Sequence, residues 1–89
     1  MSRTVEFDPN AVTEFRELDP DTRKRIVEFL RTKIGGRSDP RTLGKALLDA
    51  AAGFWRYDVG KSHRMVLSIE DARRLVTVMR VGHRDNLYR

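Results

Sequence analysis

The apolar positions of this 89-residue chain keep one rhythm up to Gly36 and another after Gly53. A short β-rich stretch, Thr4 to Phe7, comes first. Asp8-Pro9 then supplies a helix N-cap with proline at the first helical position. Val12, Phe15 and Leu18 recur at three-residue steps among Glu14, Arg16 and Glu17, the apolar stripe of a solvated helix. Asp19-Pro20 repeats the start signal. Beyond it Ile26, Val27, Leu30 and Ile34 fall on one face of a second helix, which Gly35-Gly36 ends. Two helices joined so closely form an antiparallel hairpin. Arg37 to Pro40 reads as loop, and Thr42 to Ala52 fits either a helical turn or an irregular edge.

From Phe54 the spacing becomes two, the period of a strand with one buried face. Phe54 to Val59 alternates, Gly60-Lys61 turns, His63 to Ile69 alternates, Glu70-Asp71-Ala72 turns, and Arg74 to Val81 alternates again. With the first strand added, the order is β-α-α-β-β-β. This predicts an α+β fold in which an antiparallel sheet carries the N-terminal helical hairpin on one face. Residues 1–89 suffice for one domain with one modest core.

Parity assigns the strand residues to faces. Trp55, Tyr57 and Val59 share one side of their strand, and Met65, Leu67 and Ile69 are the matching core set on the next. Arg56, Asp58, Arg64, Val66 and Ser68 then take the open face. On the last strand, unbroken alternation groups Leu75, Thr77, Met79 and Val81 against Val76, Val78, Arg80, Gly82 and Arg84. If that second group faces outward, Arg56, Arg64, Arg80 and Arg84 line one concave surface. Ordinary solvated arginines, paired with Asp58, Glu70 or Asp71, would leave the same pattern.

Charge sharpens the picture. The chain holds 18 Lys+Arg and 13 Asp+Glu, a net +5, which favours anionic partners. Residues 53–89 carry 8 basic and 4 acidic side chains against 10 and 9 in residues 1–52, so the excess belongs to the strands. There is no cysteine, which excludes disulfides and thiolate metal sites. Two histidines, His63 and His83, do not make a metal site. No apolar run approaches membrane-spanning length, and a cytoplasmic location without membrane association is expected.

Three stretches carry a resemblance: GFWRYDVG at 53–60, HRMVLSI at 63–69 and VMRVGHRDNLYR at 78–89. Together with the element order they resemble the RelE/ParE superfamily of bacterial toxin-antitoxin systems, nearest its RelE branch. That resemblance implies a ribosome-dependent mRNA endonuclease that works without metal or other cofactor: the ribose 2′-hydroxyl attacks the adjacent phosphate. It implies catalytic roles for Arg64, holding the scissile phosphate, for Arg84, stabilising the transition state, for Tyr88, stacking on a base, and for Arg56, which stands where many relatives carry lysine. Arg80, Lys61, Asp58 and His83 follow as RNA contacts, with Asp58 or His83 open as general base and His83 open as a structural residue. The implied partners are a cognate RelB-like antitoxin and mRNA on the ribosome, with operator DNA reached only through the antitoxin. Two other readings fit the same family: a ParE-like inhibitor of DNA gyrase, and a degenerate toxin acting only by binding.

Overall fold

A computed structural model of the chain describes residues 3–36, 44–46 and 53–86. Strand β1 (Thr4–Phe7) leads into helices α1 (Pro9–Arg16) and α2 (Pro20–Phe29). Both helices begin as their Asp-Pro pairs dictate. The Asp8 carboxylate accepts from the Asn10 N–H and that of Asp19 from the Thr22 N–H, each at 3.0 Å, satisfying donors that the first helical turn leaves open. Past Phe29 the second helix widens into one π-helical turn, Leu30–Ile34, closed by the Gly35 N–H donating to the Leu30 carbonyl at 2.7 Å. Ile26, Leu30 and Ile34, four residues apart, form its buried line. Val27, expected on that face, is instead 51% exposed, because it lies about 100° around the helix from Ile26.

The strands β2 (Lys45–Ala46), β3 (Phe54–Val59), β4 (His63–Glu70) and β5 (Leu75–His83) complete a five-stranded sheet of order β1-β5-β4-β3-β2. The pairings among β2 to β5 are antiparallel, as the alternation predicts. β1 runs parallel to β5, so the sheet is mixed. Of the stretch left open between Thr42 and Ala52, only residues 44–46 are described, and they add the two-residue edge strand β2. The loop expected at Arg37 to Pro40 lies outside the described residues. Arg74, expected in the last strand, closes the β4–β5 turn instead, at φ +50° with its N–H on the Asp71 carbonyl.

The helices cover one face of the sheet. Ala11, Ile26, Leu30 and Ile34 pack there on Tyr57, Val59, Met65, Leu67, Ile69, Val76, Val78 and Val81. Each large aliphatic side chain so buried contributes about 2 kcal/mol. Phe7 and Phe15 meet edge to face at 5.3 Å, and Phe29 meets Tyr57 at 6.1 Å, which ties β1 to α1 and α2 to β3.

One irregularity governs everything at the far end of β5. Leu67 pairs with Val78, but its neighbour Val66 pairs with Arg80, leaving Met79 as an extra residue in a β-bulge. Before the bulge Val76 and Val78 point into the core; after it Val81 does, and Arg80 and Gly82 point away. The expectation from unbroken alternation is therefore corrected. Val76 and Val78 do not share a face with Arg80, Gly82 and Arg84, and Leu75, Thr77, Met79 and Val81 are not one set.

Candidate functional site

The face turned away from the helices carries two cross-strand rows. Arg56, Val66 and Arg80 are register partners across β3, β4 and β5, and so are Asp58, Arg64 and Gly82. Partners opposite each other in a ladder project to the same side. Beyond Gly82, the Arg84 N–H donates to the Ser62 carbonyl at 2.8 Å, which continues the ladder past the last strand pair. Arg84 thus returns to the face of Arg64. With Gly82 opposite Arg64 and two residues of strand beyond it, the two Cα atoms are about 9 Å apart.

Arg64 is the one buried charged residue among those described, at 7% exposure. Its Nε–H donates to Asp58 Oδ1 at 2.9 Å, across the β3–β4 pair. A charge removed from water needs such a partner. Asp58 is half-exposed, so this bond runs from a buried guanidinium to the surface of that face. Arg56 is half-buried in the neighbouring row, and Lys61 is exposed in the Gly60-Lys61-Ser62 turn, where Gly60 takes φ +66°.

Arg80 has a different neighbour from the one parity suggested. Its Nε and Nη2 donate to Glu14 Oε2 on α1, at 3.2 and 2.7 Å. This hydrogen bond holds the guanidinium pKa above its ordinary value, with burial opposing and the Glu14 charge assisting. The cationic surface of four arginines is accordingly narrower than expected: Arg80 is bound at the β5 edge, and the remaining cluster is Arg56, Arg64 and Arg84. Sequence spacing gave no sign of Glu14, 66 residues away.

His83 faces the helix side, opposite Arg84. It pairs with His63, ring against ring at 5.8 Å, and its Nδ1 accepts from the Asp85 N–H at 3.3 Å. It stands off the face that carries Arg64 and Arg84. Tyr88 lies outside the described residues. Among the described residues no group of three His, Cys, Asp or Glu side chains could hold a metal ion, and no helix is long and apolar enough to cross a membrane.

This fold, a helical hairpin on a mixed sheet with arginines on the sheet's other face, is that of the RelE/ParE superfamily toxins the chain matches. Residues 5–88 match the family model described as the ParE toxin of the type II toxin-antitoxin system parDE, and the chain belongs to that family. It is 30% identical over 89 residues to Toxin RelG of Mycobacterium tuberculosis (strain ATCC 25618 / H37Rv), covering 100% of this chain and 99% of that one. Among solved structures it is similar to the toxin-antitoxin complex RelBE2 of M. tuberculosis, with TM-score 0.81, 28% identity, and coverage of 93% of this chain and 92% of that one. A mutant of the E. coli toxin RelE in the free state shares the fold at TM-score 0.68 and 24% identity, covering 97% and 87% of the two chains.

Proposed function

We propose that this toxin is a metal-independent endoribonuclease of ribosome-bound mRNA, and that its cleft is the arginine-bearing face of β3 to β5. The observation that carries this reading is the register, which sets Arg64 of β4 and Arg84, just past the end of β5, on one face. In the reaction the 2′ oxygen passes its proton to solvent water and bonds to phosphorus, the bond to the 5′ oxygen breaks, and that oxygen takes up a proton from the Arg84 guanidinium, which regains one from water. That oxygen leaves as a hydroxyl, and a 2′,3′-cyclic phosphate remains. Negative charge grows on the phosphorane oxygens, so a guanidinium fixed in place beforehand stabilises the transition state more than the ground state.

Arg64 suits the role of phosphate holder because Asp58 and burial fix it. Arg84, at the mouth of the cleft, suits charge stabilisation and proton delivery to the leaving oxygen. Arg56 and Lys61 extend the cationic track along the RNA backbone. Asp58 acts here as the holder of Arg64. Tyr88 stacks on a base by family resemblance, since an aromatic face accepts any nucleobase.

The partner in this reading is an antitoxin of RelB type. The neighbouring structures include toxin-antitoxin complexes from M. tuberculosis and E. coli. An acidic or amphipathic segment of such a partner masks the cationic face, and operator DNA is reached through that partner. Primer extension on mRNA from cells expressing wild type or Arg84→Ala tests the proposal: new 5′ ends are expected with wild type and at least tenfold fewer with the variant. Growth arrest without new ends from either protein rejects the nuclease reading.

That outcome would favour the second reading, inhibition of DNA gyrase, which the match to a parDE family model supports. A supercoiling assay with purified gyrase separates the two.

A further inference from the structure

Glu14 belongs to no cationic surface, yet it does two jobs at the site's edge. Its Oε2 accepts from Arg80 Nε and Nη2, and its Oε1 accepts from the Val81 N–H at 3.1 Å. Both contacts fall immediately after the bulge at Met79. β1 makes its last pair, Phe7 with Val78, immediately before it. Past that point β5 runs without β1 beside it. In an antiparallel ladder, residues whose N–H groups do not point to the partner strand point to the other edge. Arg84 donates to Ser62, just before β4, and by alternation Val81 points to the side that β1 has vacated. The Glu14 carboxylate stands there in place of a strand.

We propose that Glu14 is the positioning residue for the catalytic end of β5: its carboxylate closes the bulge at Met79, and the bulge decides that Gly82 and Arg84 share a face with Arg64. The competing register is plain from the sequence. Alternation continued from Val76 and Val78 without a bulge turns Arg80, Gly82 and Arg84 toward the helices and Val81 toward solvent. Burial of Val81, which is 1% exposed, favours the observed register. It fixes only a side chain, whereas Glu14 also binds the backbone, at the residue between Arg80 and Gly82. The carboxylate is partly shielded, at 24% side-chain exposure, and its bonds are charge-assisted, a stronger class than neutral ones. Bulges beside functional sites commonly re-aim side chains in this way.

The kinetic part of this inference rests on the nuclease reading, and the structural part does not. The test compares wild type, Glu14→Ala, Glu14→Gln and Glu14→Asp. Glutamine keeps an acceptor for the Val81 N–H without the charge for Arg80; aspartate is one methylene too short to reach both. Amide exchange at Val81 and cross-strand NOEs for the Arg64–Gly82 and Met65–Val81 pairs report the register. Single-turnover cleavage of ribosome-bound mRNA, at several RNA concentrations, separates rate from affinity.

The expected result is exchange at Val81 at least tenfold faster in the alanine and aspartate variants. Weakened NOEs at both pairs and a maximal rate lowered by 10- to 100-fold, at nearly unchanged half-saturating RNA, should accompany it. Glutamine should recover most of each. A merely structural Glu14 would lower thermal stability while leaving the rate per folded molecule and the two NOE pairs as in wild type, and that result overturns the proposal. Should the alanine variant fail to fold, aspartate against glutamine gives the same decision. If wild type cuts no RNA but the NOE and exchange changes appear, the nuclease reading falls and the role of Glu14 in register stands.

Discussion

Deleting Met79 should be tolerated, although it removes a residue from the middle of a central strand. The bulge makes Met79 the spare residue of β5. Without it Val76, Val78 and Val81 still face the core in strict alternation, and Arg80 and Gly82 still face away. The deletion moves the Val81 N–H by up to about 3 Å along the strand, which breaks its bond to Glu14 and costs about 1–3 kcal/mol. Regained ladder continuity offsets part of that. The contrasting deletion is Val66, on the other strand at the same level, where no spare residue exists. Removing it turns either Leu67 and Ile69 or Met65 and His63 to the wrong face. Leu67 and Ile69, at 0% and 5% exposure, together forfeit about 3–6 kcal/mol. A domain of this length has roughly 4–13 kcal/mol of stability in all. Urea denaturation followed by circular dichroism and Trp55 fluorescence should give a cooperative transition for the Met79 deletion and little or none for the Val66 deletion. Equal damage from the two deletions would refute the assignment of the bulge.

At Gly44 an added Cβ would sit 2.6 Å from Tyr57 Cζ, and the ring, 1% exposed and braced by Phe29, has little room to move. Gly44→Ala should lower the urea-derived stability by about 1–3 kcal/mol, with much of the loss relieved by Tyr57→Leu in a double-mutant cycle. The Asp19 carboxyl is held below its usual pKa, first by its side-chain bond with Thr22 and then by the Thr22 N–H. Its capping contribution is therefore complete above the unfolded value of about 3.9 and is lost as pH falls through the lower folded one. Asp19→Asn should flatten that part of the acid limb in urea midpoints measured between about pH 6 and pH 2. Asp58→Asn leaves Arg64 buried without its carboxylate and should cost about 1 kcal/mol, discounted for the half-exposed Asp58. Arg64→Met combined with Asp58→Ala should recover stability by thermal melts while abolishing RNA cleavage.

Period and punctuation carried most of the fold. Asp-Pro pairs marked both helix starts because capping is local chemistry, legible within four residues. The turns at Gly60 and Asp71 were readable for the same reason. The parallel pairing of β1 with β5 left no local mark, since register between strands some 70 residues apart is set by packing. The bulge was hidden in a different way. Val76, Val78 and Val81 are all apolar, so two alternations overlapped, and only the odd step from Val78 to Val81 hinted at the extra residue. For the site, parity set Arg56, Arg64 and Arg80 on the open face, but on β5 it joined Arg80, Gly82 and Arg84 to Val76 and Val78, which the bulge separates from them. It gave no sign of Glu14, the partner of Arg80, because that residue comes from a helix 66 residues away. Tyr88 stays with the resemblance that suggested it.

The parallel pairing of the first strand with the last has a temporal consequence. As the chain emerges from synthesis, Thr4–Phe7 waits for Val76 and Val78 before it can join the sheet, and Glu14 waits for Val81. That pairing joins strands some 70 residues apart, whereas β3, β4 and β5 pair across short turns, so closing the sheet with β1 is the slow, non-local part of folding. The rows that carry Arg56 and Arg64 therefore assemble from neighbours in sequence, while the first strand joins the sheet only once β5 has been made.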